Sequence, residues 1–189
     1  MTKPTKINFS GMSALVADAN AAFLTIIAGM LYEFGVSNIT RATTGEQALH
    51  QFSVQQIDFA FLDCFLPGIN GFDICQRVRA TPGPNQMVPI LILTSHAQRD
   101  NVVRARDVGA SMVMIKPISG SMLFDRLAWA AENARDFIMC ANYNGPDRRY
   151  KNESFSGIGR RETDKGKGGE QRGSSMSQAE IDKLSTSFS

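Results

Sequence analysis

Phe59-Ala60-Phe61-Leu62-Asp63-Cys64-Phe65-Leu66-Pro67-Gly68-Ile69-Asn70-Gly71 is the stretch that decides the fold. Four apolar residues run without interruption into a carboxylate. A continuous apolar run of this length, bounded by turn formers, reads as a strand buried on both faces. Pro67, Gly68 and Gly71 then force a loop, after which residues 72–79 resume an amphipathic, helical pattern. An acid at the carboxyl end of a buried strand stands where open α/β sheets bind their ligands. Taken alone, Asp63 reads equally well as a strand-end turn former. Its partners along the chain decide.

Upstream, residues 14–17 form a short apolar run that ends at Asp18. Asn20 is a good helix N-cap, and Phe23, Leu24, Ile26, Ile27, Met30, Leu31 and Phe34 follow at helical spacing. Gly35 stops that helix, and residues 37–42 read as a second strand. Thr44-Gly45-Glu46 opens another helix, with Ala48, Leu49 and Phe52 inward. Downstream, Thr81-Pro82-Gly83-Pro84 breaks the chain before a fourth buried strand at 89–94. A helix over 99–108 ends at Gly109, a fifth strand covers 112–115, and Lys116-Pro117 closes it. Residues 119 to about 137 read as a last helix, with Leu123, Leu127 and Ala130 inward. Five strands alternating with five helices imply a doubly wound parallel sheet. Right-handed crossovers place every strand's carboxyl end along one edge. Asp18, Asp63, Thr94 and Lys116 each close a different strand there.

Composition narrows the function classes. The 189 residues hold one ordinary domain and an appendage, and a formal charge of +2 gives no whole-chain signal for nucleic acid or membrane. Cys64, Cys75 and Cys140 form no metal-binding pair and suit a reducing compartment. Residues 1–10 lack the apolar core of a signal peptide, and the apolar segment 21–31 is too short to span a bilayer. A cytoplasmic protein without a membrane span is expected. No glycine-rich phosphate loop follows the first strand, and His50 and His96 belong to no recognisable triad, so an enzyme is not expected.

Two carboxylates at one sheet edge repel unless a cation lies between them. Mg²⁺ is small and hard, and is often held by one or two carboxylates with waters and a phosphate. A lysine adds a point charge and a threonine a hydroxyl for phosphate oxygens. The set is suited to accepting a phosphoryl group on a carboxylate.

The pattern of Asp18, Asp63-x-x-x-Pro67-x-x-x-Gly71, Thr94 and Lys116-Pro117 at successive strand ends resembles the receiver domain of two-component response regulators, over residues 11–138. The resemblance implies a flavodoxin-like, CheY-like sheet of order 2-1-3-4-5. It implies phosphorylation of Asp63 by a histidine kinase or phosphotransfer protein, in signalling of the chemotaxis or motility type. It further implies Mg²⁺ held by Asp18, Asp63 and the main-chain carbonyl of Phe65, with Thr94 as switch hydroxyl and Lys116 on the phosphate. A cis bond at Lys116-Pro117 would also fit the family. Two positions depart from it. Ala19 stands where the family carries a second, metal-ligating acid, so weakened Mg²⁺ binding is expected, with a water able to fill the vacant position. Val113 stands where a switching aromatic is usual.

The ends of the chain complete the division. Residues 1–10 read as a flexible N-terminus. Residues 139–175 are rich in Gly and Arg, with too few apolar residues to fold alone, and read as a disordered linker. The linker contains Arg148-Arg149 and Arg160-Arg161 in a short repeat, either as a solvated segment or as planar forks for phosphate and bases. In the second case it is similar to receiver tails that bind cyclic di-guanylate, and the chain becomes a nucleotide-responsive adaptor. Residues 176–189 read as a short helical docking peptide, with Ser177 as N-cap and Glu180 three residues on. Residues 176–184 resemble the amino-terminal peptide of the flagellar motor switch protein FliM, which implies a receiver domain or a flagellar motor protein as partner. No helix-turn-helix pattern follows the receiver-like segment, so DNA is not an expected partner.

Overall fold

The computed structural model describes residues 8–96, 98–132, 136–140 and 143–147. Strands β1 (Ser13–Ala17), β2 (Asn38–Ala42), β3 (Phe59–Asp63), β4 (Ile90–Thr94) and β5 (Met112–Ile115) form one parallel sheet in the order β2-β1-β3-β4-β5. Between and after them run α1 (Ala21–Glu33), α2 (Gly45–Val54), α3 (Gly71–Ala80), α4 (Arg99–Asp107) and α5 (Gly120–Glu132). This is the doubly wound parallel sheet that the alternation implied, in the flavodoxin-like strand order that the resemblance implied.

Strand side chains alternate between two cores. Leu15, Ala17, Ala60, Leu62, Ile90 and Ile92 face α2, α3 and α4, where they meet Ala48, Phe72, Ile74, Cys75, Val78 and Ala105. Val16, Phe59, Phe61, Leu91 and Leu93 face α1 and α5, where they meet Leu24, Ile27, Leu31, Leu123 and Leu127. All five residues of β3 and of β4 are buried, which is why their sequences show no polar alternation. Each fully buried Leu, Ile or Phe contributes about 1.5–3 kcal/mol. The helix starts follow the sequence. Asn20 accepts N–H bonds from Ala22 and Phe23, Thr44 from Gln47, and Asn70 from Asp73.

Three features differ from the sequence reading. Phe9, inside the expected flexible N-terminus, is fully buried, with edge-on ring contacts to Phe59 and Phe124. An aromatic of this size joins the core shared by β3 and α5. Second, α5 is shorter than expected. After it, β6 (Phe137–Cys140) and β7 (Tyr143–Pro146) pair as antiparallel strands, where the sequence reading had a linker beginning at residue 139. Third, that hairpin adjoins a buried arginine. Arg79, 2% exposed, donates from Nε to the Gly109 carbonyl at 2.9 Å, and from its two terminal nitrogens to the carbonyls of Gln86 and Val88, both at 2.7 Å. The Phe137 ring covers the guanidinium, its centroid 5.3 Å from Cζ. Gly109 is at φ +84°, and a Cβ there would lie 2.4 Å from the Asn144 carbonyl oxygen, so the hairpin can approach only over a glycine. Burial works to discharge Arg79, offset in part by Cys75 and Tyr143. Burial also pushes the Cys75 thiol up to about 12.

The arginines Arg148, Arg149, Arg160 and Arg161 and the peptide at 176–189 lie outside the described residues.

Candidate functional site

The strand ends bring the expected residues to one edge. Asp18 follows β1 directly, and its N–H donates to the Ala42 carbonyl at the end of β2 at 3.0 Å. Its Oδ1 accepts the Asn20 N–H at 2.9 Å, so the N-cap of α1 also orients the carboxylate. Asp63 closes β3 in register with Leu93 of β4, and its Oδ2 accepts the Phe65 N–H at 3.2 Å. Gly71 allows the intervening loop to fold back, since a Cβ there would lie 2.4 Å from the Asp63 carbonyl oxygen. Lys116 follows β5, its N–H bonded to the Thr94 carbonyl at 2.8 Å. The Lys116–Pro117 peptide is cis.

Lys116 joins the two acids. Its Nζ donates to Asp63 Oδ1 at 2.8 Å and to Asp18 Oδ2. Both carboxylates are buried, with side chains 4% and 11% exposed for Asp18 and Asp63, so charge pairing here is far less screened than at a surface. Burial works to discharge Lys116, but hydrogen bonds and charge from Asp18 and Asp63 outweigh it and hold the ammonium above the ordinary lysine range. A raised folded-state value fixes the sign of the linkage. The contribution is complete below the unfolded lysine value, about 10.4, and is lost as pH climbs through the folded value. Wild type should therefore lose stability above about pH 10 more steeply than Lys116→Met, measured as the difference between their unfolding free energies across that range.

Thr94 is buried at the end of β4, but its hydroxyl is committed locally. It donates to the His96 carbonyl at 3.0 Å and accepts the His96 N–H at 3.2 Å. Reaching a group on Asp63 would cost it those two bonds. Burial pushes the neighbouring Cys64 thiol up, while a hydrogen bond with Thr94 acts the other way. Phe65 is exposed beside the pocket, Ala19 is exposed and brings no charge, and Val113 packs against the core on the α3 and α4 side. The sequence reading missed Phe23. It was read as one of the apolar residues of α1, yet its ring centroid lies 4.4 Å from the Lys116 ammonium.

The donor set suits a small hard cation. Two buried carboxylates converge, each oxygen engaged by one donor and able to accept more. Among the described residues no group of three or more His, Cys, Asp or Glu side chains forms, so water and main-chain oxygen would have to complete a metal's shell. Among the same residues, no helix is long and apolar enough to cross a membrane.

The chain is similar in sequence and fold to known proteins. The chain is 28% identical over 116 residues to the chemotaxis protein CheY of Pseudomonas aeruginosa, covering 61% of this chain and 93% of that protein. It is 27% identical over 116 residues to the chemotaxis protein CheY-3 of Vibrio cholerae, covering 61% and 88%. Among solved structures, the receiver domain of a Pseudomonas aeruginosa sensor histidine kinase, crystallised with magnesium in its active-site cleft, is similar at a TM-score of 0.57 and 27% identity, over 64% of this chain and 96% of that one. CheY4 of Vibrio cholerae shares the fold at a TM-score of 0.58 and 24% identity, over 62% and 98%. The sequence profile of the response regulator receiver domain matches residues 14–128, well over half of the sequence, and on that ground the chain belongs to the receiver family of two-component signalling proteins.

Proposed function

We propose that this chain is a response regulator that accepts a phosphoryl group on Asp63 from a histidine kinase or phosphotransfer protein and acts by protein–protein contact in chemotaxis or motility. One observation carries the reading: Asp18, Asp63 and Lys116, from three different strand ends, meet in a single buried ion-paired cluster. In the transfer, an Asp63 carboxylate oxygen attacks phosphorus, the P–N bond to the donor imidazole breaks, and the imidazole keeps the electron pair and takes up a proton. Lys116 then holds a phosphoryl oxygen, and Thr94 exchanges its bonds to His96 for one to the new dianion. Asp18, Asp63 and the Phe65 carbonyl would hold Mg²⁺, which when bound neutralises the phosphoryl oxygens. Its binding is weak, because Ala19 supplies no ligand. The CheY names of the relatives support the chemotaxis assignment.

Intact-mass measurement of protein exposed to acetyl phosphate tests the reading. A single Mg²⁺-dependent phosphoryl adduct is expected in wild type, and none in Asp63→Asn. A wild type that gains no adduct, where an ordinary receiver does, would overturn it. Restoring the acid with Ala19→Asp should tighten Mg²⁺ by about tenfold or more, since changing even a group that only orients a metal's ligands shifts affinity by about 10–100-fold.

The tail extends the proposal. Residues 176–184 dock on a receiver domain or a flagellar motor protein, and the linker keeps a receiver of the same chain at about millimolar local concentration. Deleting residues 175–189 should shift NMR signals of α4 and β5 if the peptide docks within the chain. The paired arginines support a second reading, in which Arg148, Arg149, Arg160 and Arg161 bind cyclic di-guanylate and the receiver is a docking platform. Saturable binding of labelled nucleotide, lost when all four are replaced, would favour it.

A further inference from the structure

Lys116 has a third neighbour besides its two acids. Phe23 sits on the first turn of α1, where its N–H is capped by the Asn20 side chain at 3.2 Å, and its ring centroid is 4.4 Å from Nζ. Phe23 is partly buried and packs against the core shared by α1 and α5. Any apolar residue of that volume would serve the core. Only an aromatic ring also presents a negative π face to the ammonium. The same N-cap residue orients Asp18 through its own N–H, so one helix start fixes both the carboxylate and the ring around Lys116. Ala19, next to both, offers no competing charge.

We infer that Phe23 is a positioning residue for Lys116: its ring holds the ammonium between Asp18 and Asp63, so that the lysine neutralises the resting pocket and a divalent ion must displace it from Asp18. The inference rests on the reading of this pocket as the metal and phosphoryl site, and it goes beyond that reading. Metal affinity is then lowered twice over. Ala19 removes a ligand for the ion, and Phe23 strengthens its competitor. A ring over a partly desolvated ammonium is worth about a three- to tenfold change in an equilibrium.

The test uses the full chain with Phe23→Leu, which keeps apolar volume, and Phe23→Tyr, which keeps the ring. Two quantities are read: the Mg²⁺ dissociation constant by calorimetric titration, and the NMR shifts of the Lys116 ε-methylene protons without metal. Phe23→Leu should bind Mg²⁺ about three- to tenfold more tightly than wild type and lose the upfield ring-current shift. Phe23→Tyr should match wild type in both. Equal or weaker Mg²⁺ binding by Phe23→Leu, whether or not wild type binds measurably, would overturn the inference. So would ε-methylene shifts that ignore the ring. Neither readout requires phosphorylation. Failure of the phosphoryl adduct with these shifts intact would sink the proposed function alone, and the reverse would sink this inference alone.

Discussion

Arg79→Ala should destabilise the protein by about 3–5 kcal/mol, since three buried carbonyls lose their donor at about 1–3 kcal/mol for each one left unsatisfied. That is a large share of the roughly 5–15 kcal/mol that holds a domain together. The substitution leaves the carbonyls of Gly109, Gln86 and Val88 without their donor and opens a cavity under the Phe137 ring. Arg79→Lys should recover less than half of the loss, since a single ammonium cannot span three carbonyls in a fixed fork. A chain ending after Glu132 should also lose stability, because it removes Phe137 and the hairpin that approaches Gly109. Urea unfolding measures all three. A loss below about 1 kcal/mol for Arg79→Ala would mean that water replaces the guanidinium without cost.

The second large effect is expected at Lys116. In metal-free buffer near pH 7, Lys116→Met leaves two buried carboxylates adjacent with no cation between them. Breaking a buried ion pair from one side costs about 3–5 kcal/mol, and the partial exposure of Lys116 places the expected loss nearer 2–4. Adding Mg²⁺ should return much of it, by putting a cation back between the acids. Melting temperatures across a Mg²⁺ series read the recovery. A variant insensitive to the ion would show that the two carboxylates do not share one field.

How much of this could be read from the residues differs from place to place. The stretch 59–71 was sufficient for the central strand, the loop and the start of α3, because a both-faces-buried strand leaves an uninterrupted apolar run and Gly71 marks the close return on Asp63. Asp18, Asp63 and Lys116 were legible because they are polar residues terminating apolar strands. Thr94 was legible as a position but not as a state, since its turn with His96 is made by main-chain atoms that no pattern encodes. The hairpin after α5 was missed because the last helix was carried to about residue 137 and the residues from 139 were grouped with a Gly- and Arg-rich segment, whereas the pairing of Phe137–Cys140 with Tyr143–Pro146 goes with packing near Gly109 and Arg79. A signal was present in α3: Phe72, Cys75 and Arg79 share one helical face, and an arginine on an apolar face asks for buried carbonyls. Phe23 carried no such signal. An aromatic on an amphipathic helix looks like any other core residue until a cation is found against its ring.

The most direct test of the central claim, that the cluster at the strand ends makes Asp63 a phosphoryl acceptor, is chemical trapping of the acyl phosphate. Wild-type protein is incubated with acetyl phosphate and Mg²⁺, reduced with borohydride, digested, and mapped by mass spectrometry. The account predicts that Asp63 alone is converted to homoserine, and that omitting Mg²⁺ suppresses the conversion. Reduction at a different residue, or none when an ordinary receiver treated alongside is converted, would contradict it.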